Sequence, residues 1–555
     1  MKRKLLAMAL VLTLMLGCCA TAFADGAERT GDIVILFTSD IHCGVDQGFG
    51  YTGLQAVREY HEAKGEHVLL VDNGDNIQGE PLGTMSKGET SIGLMNAMGY
   101  DVAIPGNHEF DYGMERFLEL TEKANFPYVC CNFYHEGKPV FQPYVIKEVD
   151  GVKVAFVGVT TPKTLTSSTP TYFQDANGEF VYGFLQDETG EGVYNAVQNA
   201  ADSARAEGAD YVVLLAHLGL EEECRPWTYA DVISHTSGID VLLDGHSHDT
   251  EQLVMKNKDG DSIPRSACGT KLNCIGWCKI AKDGKVSANI YTWNNPDSVP
   301  RMLGVTNAMG EAVAKANDTL KEELSKVVAH SDVALTINDP VAKDDNGKPI
   351  RMVRRAETNL GDLCADAYLN QSGADVAFVN GGGIRVDINA GDITLNDILE
   401  VHPFGNMLTV IEVSGQQILD ALEWGSRSVP GESGAFLQVA GLSYEIHSYL
   451  DSGCVADING LFDHIEGERR VKNVKIGGAD LDPEATYTLS SHDYMLLNSG
   501  GGYSMFRGAK VLQDRVKLDN QVLIDYITET LGGNIGAAYD NPTGQGRIVI
   551  VTEKP

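Results

Sequence analysis

Five short segments of the chain carry side chains of the kind that bind divalent metals. They are Asp40-x-His42, Gly74-Asp75, Gly106-Asn107-His108-Glu109, Ala216-His217 and Gly245-His246-Ser247-His248. Each follows directly on a run rich in Val, Ile, Leu or Phe, at 33–38, 67–71, 102–104, 211–216 and 241–243. Such runs have the length and composition of buried strands. In open α/β sheets, sites assemble at the carboxyl ends of the strands. A single histidine after a strand is more often a satisfied structural residue. Five ligand-bearing ends in order along one sheet are hard to explain by packing, so they are expected to converge.

The donor set narrows the chemistry. Carboxylates, imidazoles and one amide, with no thiolate required, suit zinc, manganese, iron or cobalt better than calcium or magnesium. Seven candidate ligands exceed what one tetrahedral ion needs. They would serve two divalent ions if one carboxylate bridged them. Ions about 3.5–4 Å apart can clamp phosphoryl oxygens and activate water at neutral pH.

The elements that must position these residues follow from the hydrophobic pattern. From about 31 to 300, apolar runs, including two more at 128–131 and 152–159, alternate with helical stretches, which implies an α/β domain with helices packed against a sheet. Over 303–329, Val305, Met309, Val313, Ala316, Leu320, Leu324 and Val327 recur every three to four residues. That spacing predicts one amphipathic helix, read as a connector over 303–330. A second domain is expected over 341–555, with helices such as 360–371 and 415–424, strands such as 408–413 and 486–489, and two clusters of three glycines at 381–383 and 500–502.

Composition excludes several classes. Of 555 residues, 43% are apolar and 22% charged, which argues against wholesale disorder. There are 43 basic and 77 acidic residues, a net charge of −34, which would repel a nucleic-acid polymer. A small phosphorylated ligand is still compatible, because a metal or a few arginines reverse the field locally. Residues 1–24 have a basic start (Lys2, Arg3, Lys4), an apolar run over 5–16 that is short for a bilayer, and Ala22-Phe23-Ala24 as a cleavage signal. They read as a secretory signal peptide, which predicts an exported protein, periplasmic, extracellular or attached to the cell envelope. The alternatives are a short anchor, or lipidation at Cys18 or Cys19. No later segment is long and apolar enough to span a membrane. Nine cysteines follow the signal, an odd number that leaves at least one thiol outside any disulfide. Cys268, Cys274 and Cys278 are close in sequence but lack paired CxxC motifs. They read as buried small hydrophobes.

The five ligand segments resemble the motifs of the calcineurin-like metallophosphoesterases, and Gly-Asn-His-Glu-Phe-Asp at 106–111 is similar to the 5′-nucleotidase branch. The resemblance continues through the second domain. It implies a four-layer β-sandwich flanked by helices, joined by a long helix to a second α/β (α+β) domain that binds substrate. It implies a first metal held by Asp40, His42, Asp75 and His248, and a second held by Asp75, Asn107, His217 and His246. His108 is similar to the family's catalytic histidine and Asp111 to the carboxylate that orients it, a pairing that raises imidazole basicity. For Asp111 a helix N-cap is the other reading.

The resemblance also implies the substrate side. Arg354 and Asn359 lie where the family's C-terminal domain begins. Asn380-Gly-Gly-Gly-Ile-Arg385 is similar to its glycine-rich substrate loop, and Phe404-Gly-Asn406 to the segment with one base-stacking aromatic. Tyr494 is similar to the second aromatic. Forked arginine bonds suit phosphate, and each base stack contributes ~1–3 kcal/mol. One position departs: Gly501 stands where the family has an aspartate that bonds ribose hydroxyls. The expected activity is phosphate release from nucleoside 5′-monophosphates. A 2′,3′-cyclic nucleotide phosphodiesterase or a UDP-sugar hydrolase on the same site is the alternative. A non-catalytic nucleotide-binding or adhesion protein is the remote one, disfavoured because no metal ligand is missing.

Overall fold

The computed structural model describes residues 29–221, 224–293, 306–343 and 347–554. The signal-peptide reading falls on residues 1–24, outside the described residues.

Alternation along the strands builds the first half. In Ile33–Thr38, successive side chains point to opposite faces. Ile33, Ile35 and Phe37 enter one core with Val154, Phe156, Val213, Leu215, Val241 and Leu243. Val34 and Leu36 enter another, with Leu54 and Val57 of helix Gly50–Ala63. The first core lies between two sheets. One has the order Val286–Thr292, Cys274–Ile280, Ile33–Thr38, His67–Asp72, Val102–Ala103. The other has the order Thr250–Lys256, Ser262–Cys268, Val241–Asp244, Tyr211–His217, Val152–Thr160, Tyr144–Val149. On the far face of the second sheet, Val157, Val212 and Leu214 pack with Val193 and Val197 of helix Glu191–Ala206. The layers are therefore helix, sheet, sheet, helix.

This corrects the expectation of five ends along one sheet. Three of the ligand-bearing strands belong to the first sheet and two to the second. Both cores need apolar residues on every strand, so the run of hydrophobes looks the same in either sheet. The 128–131 run is not a strand: it makes only isolated bridges, Ala103 to Tyr128 and Val129 to Gln142.

The predicted connector helix is shorter than its pattern. It spans Ala308–Leu324, and Met309 and Val313 dock in the core that Val34 and Leu36 share with helix Gly50–Ala63. Residues 303–305 lie outside the described residues. Val327, expected to close the helix, instead opens strand Val327–Ser331, which pairs antiparallel with Gly391–Thr394 and parallel with Asn534–Ile535. Two adjacent β-branched residues, Val327 and Val328, favour that outcome.

In the second half a five-stranded sheet has the order Leu437–Ala440, Val376–Asn380, Thr486–His492, Leu408–Ser414, Lys510–Gln513. Helix Asn359–Ser372 covers one face, through Leu360 and Leu363 against Ala377 and Val379. Helix Gly415–Ser426 covers the other, through Ile418 and Leu422 against Val376 and Phe378. Among the described residues no cysteine forms a disulfide, and Cys268, Cys274 and Cys278 pack in the core between the two N-terminal sheets. No helix among the described residues is long and apolar enough to cross a membrane.

Candidate active site

The five segments meet. Ligand atoms of Asp40, His42, Asp75 and His248 lie within 4.8 Å of one another, and so do those of Asp75, His217 and His246. Asn107 completes the second group: its Oδ1 is 2.8 Å from His246 Nδ1 and 3.2 Å from His217 Nε2. Asp75 belongs to both groups.

The backbone at these positions is unusual. Asp40, His42, Asp75, His246 and His248 all have positive φ, between 48° and 80°. Non-glycine residues seldom adopt that region, and such strain gathers at functional sites. Two motif glycines explain the tight turns. A Cβ on Gly106 would stand 2.3 Å from Asp75 Oδ1, and one on Gly74 would stand 2.4 Å from the Gly106 nitrogen.

Surrounding groups aim the ligands. His42 Nδ1 bonds the Gln78 carbonyl at 3.0 Å and His217 Nδ1 the Asn73 carbonyl at 2.7 Å, so each ring turns Nε2 inward. Glu109, inside the third motif, accepts the backbone N–H groups of Asp75 (2.7 Å), Asn76 (2.8 Å) and Gly106 (2.6 Å) and so ties two ligand loops together. Arg265, 1% exposed, bonds Asp244 at 2.8 Å, Asp249 at 2.7 Å and Glu251 at 2.9 Å, and its guanidinium lies 4.0 Å from the Tyr229 ring centroid. Asp244 in turn accepts the Leu218 N–H at 3.1 Å. Arg265 thus braces the loops that carry His217, His246 and His248. Glu109 belongs to the third motif itself. Arg265 left no signal, because only the fold brings its three carboxylate partners to it.

The electrostatics fit two cations. Burial pushes Asp40 well above the usual carboxylate range. Burial would do the same to Asp75, but His217, His108 and His42 outweigh it and hold Asp75 well below that range. Burial holds His42 and His248 well below the usual imidazole range. His42 Nδ1–H donates to a carbonyl, so its Nε2 presents a lone pair, and that nitrogen stands 3.0 Å from His248 Nε2. Two ring nitrogens at that separation beside two buried carboxylates suit a divalent cation.

His108 stands beside the clusters and outside both. Its Nδ1 is 2.5 Å from Asp111 Oδ2, and Asp111 Oδ1 accepts the Ser168 hydroxyl at 2.9 Å. Asp111 is no N-cap: the following helix, Met114–Lys123, is capped at Gly113. Burial works against the His108 imidazolium, yet Asp111 and Asp75 outweigh it and raise its pKa.

The second domain roofs this floor, enclosing a cavity of about 250 Å³. Arg354, Asn380, Arg385, Phe404, Asn406 and Tyr494 all line it, as does Gly501. Phe404 stacks on His108, ring centroids 5.7 Å apart at 29°, and Arg385 lies 5.7 Å from the Phe404 centroid. Burial and neighbouring Arg351 lower Arg385 to about 10, and burial with Arg351 and Arg385 lowers Arg354. Three guanidiniums crowded over two acidic clusters make an anion receptor. Arg351, which sequence reasoning missed, is held there by Glu432 at 2.7 Å. Asn380 is less open than expected: its amide bridges the Gly434 carbonyl (3.0 Å) and His492 Nε2 (2.9 Å) and so anchors the glycine loop. Tyr494 donates to the Thr166 carbonyl of the first domain at 3.0 Å. Asn359, weighed as a substrate residue, is outside the cavity. Its amide donates to Ala334 and Tyr539 carbonyls and accepts the Thr336 N–H, all at 2.9 Å.

Comparison with known proteins gives the same architecture a family. Residues 33–250 match the calcineurin-like phosphoesterases and residues 327–508 the 5′-nucleotidase C-terminal domain. A 5′-nucleotidase of Vibrio cholerae is 30% identical over 92% of this chain and 93% of its own length. The chain belongs to the 5′-nucleotidase family. Protein UshA of Yersinia enterocolitica is 29% identical over 91% of this chain and 94% of its own. The crystal structure of a 5′-nucleotidase precursor from Thermus thermophilus superposes with a TM-score of 0.76 at 25% identity, covering 94% of this chain and all of that one. As a 5′-nucleotidase family member, the protein is a metal-dependent phosphohydrolase, and its family uses two divalent ions.

Proposed function

We propose that the protein is exported and releases phosphate from nucleoside 5′-monophosphates. The observation that carries the reading is the closure of one cavity between the acid–imidazole floor and the guanidinium–aromatic roof, with His108 and Phe404 in ring contact at 5.7 Å. Asp40, His42, Asp75 and His248 would hold one divalent ion, and Asp75, Asn107, His217 and His246 the other. Bound there, two such ions supply Lewis acidity toward phosphoryl oxygens and water.

The chain's own residues do the rest. Arg385, with Arg354 and Arg351 nearby, draws the phosphate into the cavity and fixes its oxygens by charge-assisted hydrogen bonds. Phe404 and Tyr494 take the base by stacking, which tolerates any nucleobase. His108, whose imidazolium Asp111 favours, presents Nε2–H to the leaving 5′ oxygen; a water oxygen bonds to phosphorus as the phosphoester bond breaks, and the leaving oxygen takes the proton. The roof excludes bulk water, which strengthens each of these interactions. The basic and apolar segments of residues 1–24 support export.

One observation favours a second reading. Gly501 puts no side chain where ribose hydroxyls would seek a carboxylate. A 2′,3′-cyclic nucleotide has no free hydroxyl there, so it forfeits nothing. Phosphate release from 5′-AMP, measured beside 2′,3′-cyclic AMP and UDP-glucose with Mn²⁺ or Zn²⁺, tests both. Faster turnover of 5′-AMP is expected. Turnover of the cyclic ester alone would sink the monoesterase reading.

A further inference from the structure

The wall of the same cavity, beside the second cluster, holds a third group of donors. Glu221, Cys224 and His246 each offer one ligand atom, and the three lie within 4.8 Å of one another. Donors on one ion with bonds of about 2.0–2.3 Å stand at most about 4.6 Å apart, so a small side-chain rotation closes the set. His246 turns Nδ1 toward Asn107 Oδ1, at 2.8 Å. That leaves its opposite, Nε2 edge for the Glu221 side. The geometry agrees: a methyl group on Gly219 would meet Glu221 Oε2 at 2.6 Å and His246 Cδ2 at 2.8 Å, so the two groups border the same spot. Glu221 is further oriented by the Ser247 hydroxyl and by the Leu220 N–H, both of which donate to Oε2. All three residues line the cavity, and Cys224 is buried in its wall.

The chemistry of this group differs from that of the two clusters below it. Those offer only oxygen and nitrogen. This one adds a thiol, which as thiolate selects zinc or cadmium over manganese and magnesium. We propose that Glu221, Cys224 and His246 form an auxiliary site for a soft divalent cation of the zinc class, through which excess metal inhibits the enzyme. Binding forms bonds from the cation to sulfur, imidazole nitrogen and carboxylate oxygen, and the thiol and imidazole protons leave to solvent. Inhibition follows because His246 also belongs to the second cluster, so an ion on its other face draws electron density from the ligand that the second position needs. Only this inhibitory consequence rests on the phosphohydrolase reading of the clusters; the site itself does not.

The test uses the metal-stripped full chain and Cd²⁺ alone. Equilibrium dialysis counts the ions, and the ultraviolet thiolate-to-cadmium band reports sulfur ligation, which neither of the two clusters can give. Three ions and a band that grows with the weakest of them are expected for the unsubstituted chain. Cys224→Ser should bind two and show no band, and Cys454→Ser should behave as the unsubstituted chain. Glu221→Gln, which removes only a charge, should keep the band and weaken the third ion about 10- to 100-fold; it carries the test if Cys224→Ser does not fold. An undiminished band in Cys224→Ser, or two ions and no band in the unsubstituted chain, overturns the site. With Mn²⁺-loaded enzyme, added Zn²⁺ should lower phosphate release in the unsubstituted chain at concentrations at least tenfold below those needed for Glu221→Gln. Equal sensitivity overturns the inhibitory role. If the enzyme releases no phosphate from any ester, the Cd²⁺ result still decides the site.

Discussion

The floor and the roof of the cavity are built on opposite principles. On the floor, short side chains reach their positions because the backbone is forced there: five of the seven candidate ligands sit at positive φ, and Gly74 and Gly106 let the loops touch. Four of the five loops are also tied from behind, those of Asp75 and Asn107 by Glu109, and those of His217 and of His246 and His248 by Arg265 with Asp244. On the roof, long side chains do the reaching. The Arg385 guanidinium reaches the Gly382 carbonyl only at 3.4 Å, and Phe404 is only half-buried. A reaction centre needs donors placed within fractions of an ångström, and rigid backbone provides that. A surface that accepts several bases is better served by side chains that adjust.

That contrast can be broken or sharpened by experiment. The largest effect is expected on the floor. Chelation by EDTA should abolish phosphate release, and Mn²⁺ or Zn²⁺ should restore it; retention of activity in EDTA would break the comparison outright. Next, His108→Ala should lower kcat about 10²- to 10⁴-fold. Because Asp111 keeps the His108 imidazolium protonated to higher pH, activity that depends on it falls as pH rises through that raised pKa. Asp111→Asn should therefore move the alkaline limb of the kcat–pH profile to lower pH, and an unmoved limb would remove Asp111 from this role.

The brace comes third. Arg265→Met leaves Asp244 buried without its cation and strips the partly buried Asp249 of its own, which should cost about 3–5 kcal/mol of stability. Thermal unfolding measures this, together with weaker metal retention. On the roof the effects should be smaller and of another kind. Arg385→Ala should raise KM about 10- to 100-fold, the loss of a charged hydrogen bond of about 1.5–3 kcal/mol, with kcat changed less. A fall in kcat alone would place Arg385 with the floor. The smallest effect is expected at Gly501. Its φ of 67° suits aspartate among non-glycine residues, and an added Cβ would meet Tyr503 and Ala435 at ordinary contact distances. Gly501→Asp should lower the KM for 5′-AMP about fivefold, a hydrogen bond of about 1 kcal/mol, and leave that for 2′,3′-cyclic AMP unchanged. Equal changes for both would show that the carboxylate does not read the ribose hydroxyls.

The two regions also differed in how legible they were. The ligands lie in contiguous motifs directly after buried strands, so residue type and spacing sufficed to nominate the five segments, and the resemblance selected Asp40, His42, Asp75, Asn107, His217, His246 and His248 within them. The roof was visible only through resemblance, since Arg385 after a glycine loop looks like any surface charge. Asn359 misled because a conspicuous motif position serves the backbone of its neighbours, not the cavity. Val327 misled because helical spacing continued past the helix, and sheet pairing with Gly391–Thr394 overrode it.

The sequence by itself determined the donor chemistry, because metal preference follows from ligand type, and the two-layered hydrophobic alternation of the strands, because side-chain direction has a period of two. Only the tertiary structure decided that the five ligand-bearing ends come from two facing sheets, that Arg265 and Glu109 hold their loops, and that Glu221 and Cys224 stand beside His246. Those relations join residues far apart in the chain through buried charge and hydrogen bonds. The identity of a side chain does not reveal which partner will neutralise it once water is gone.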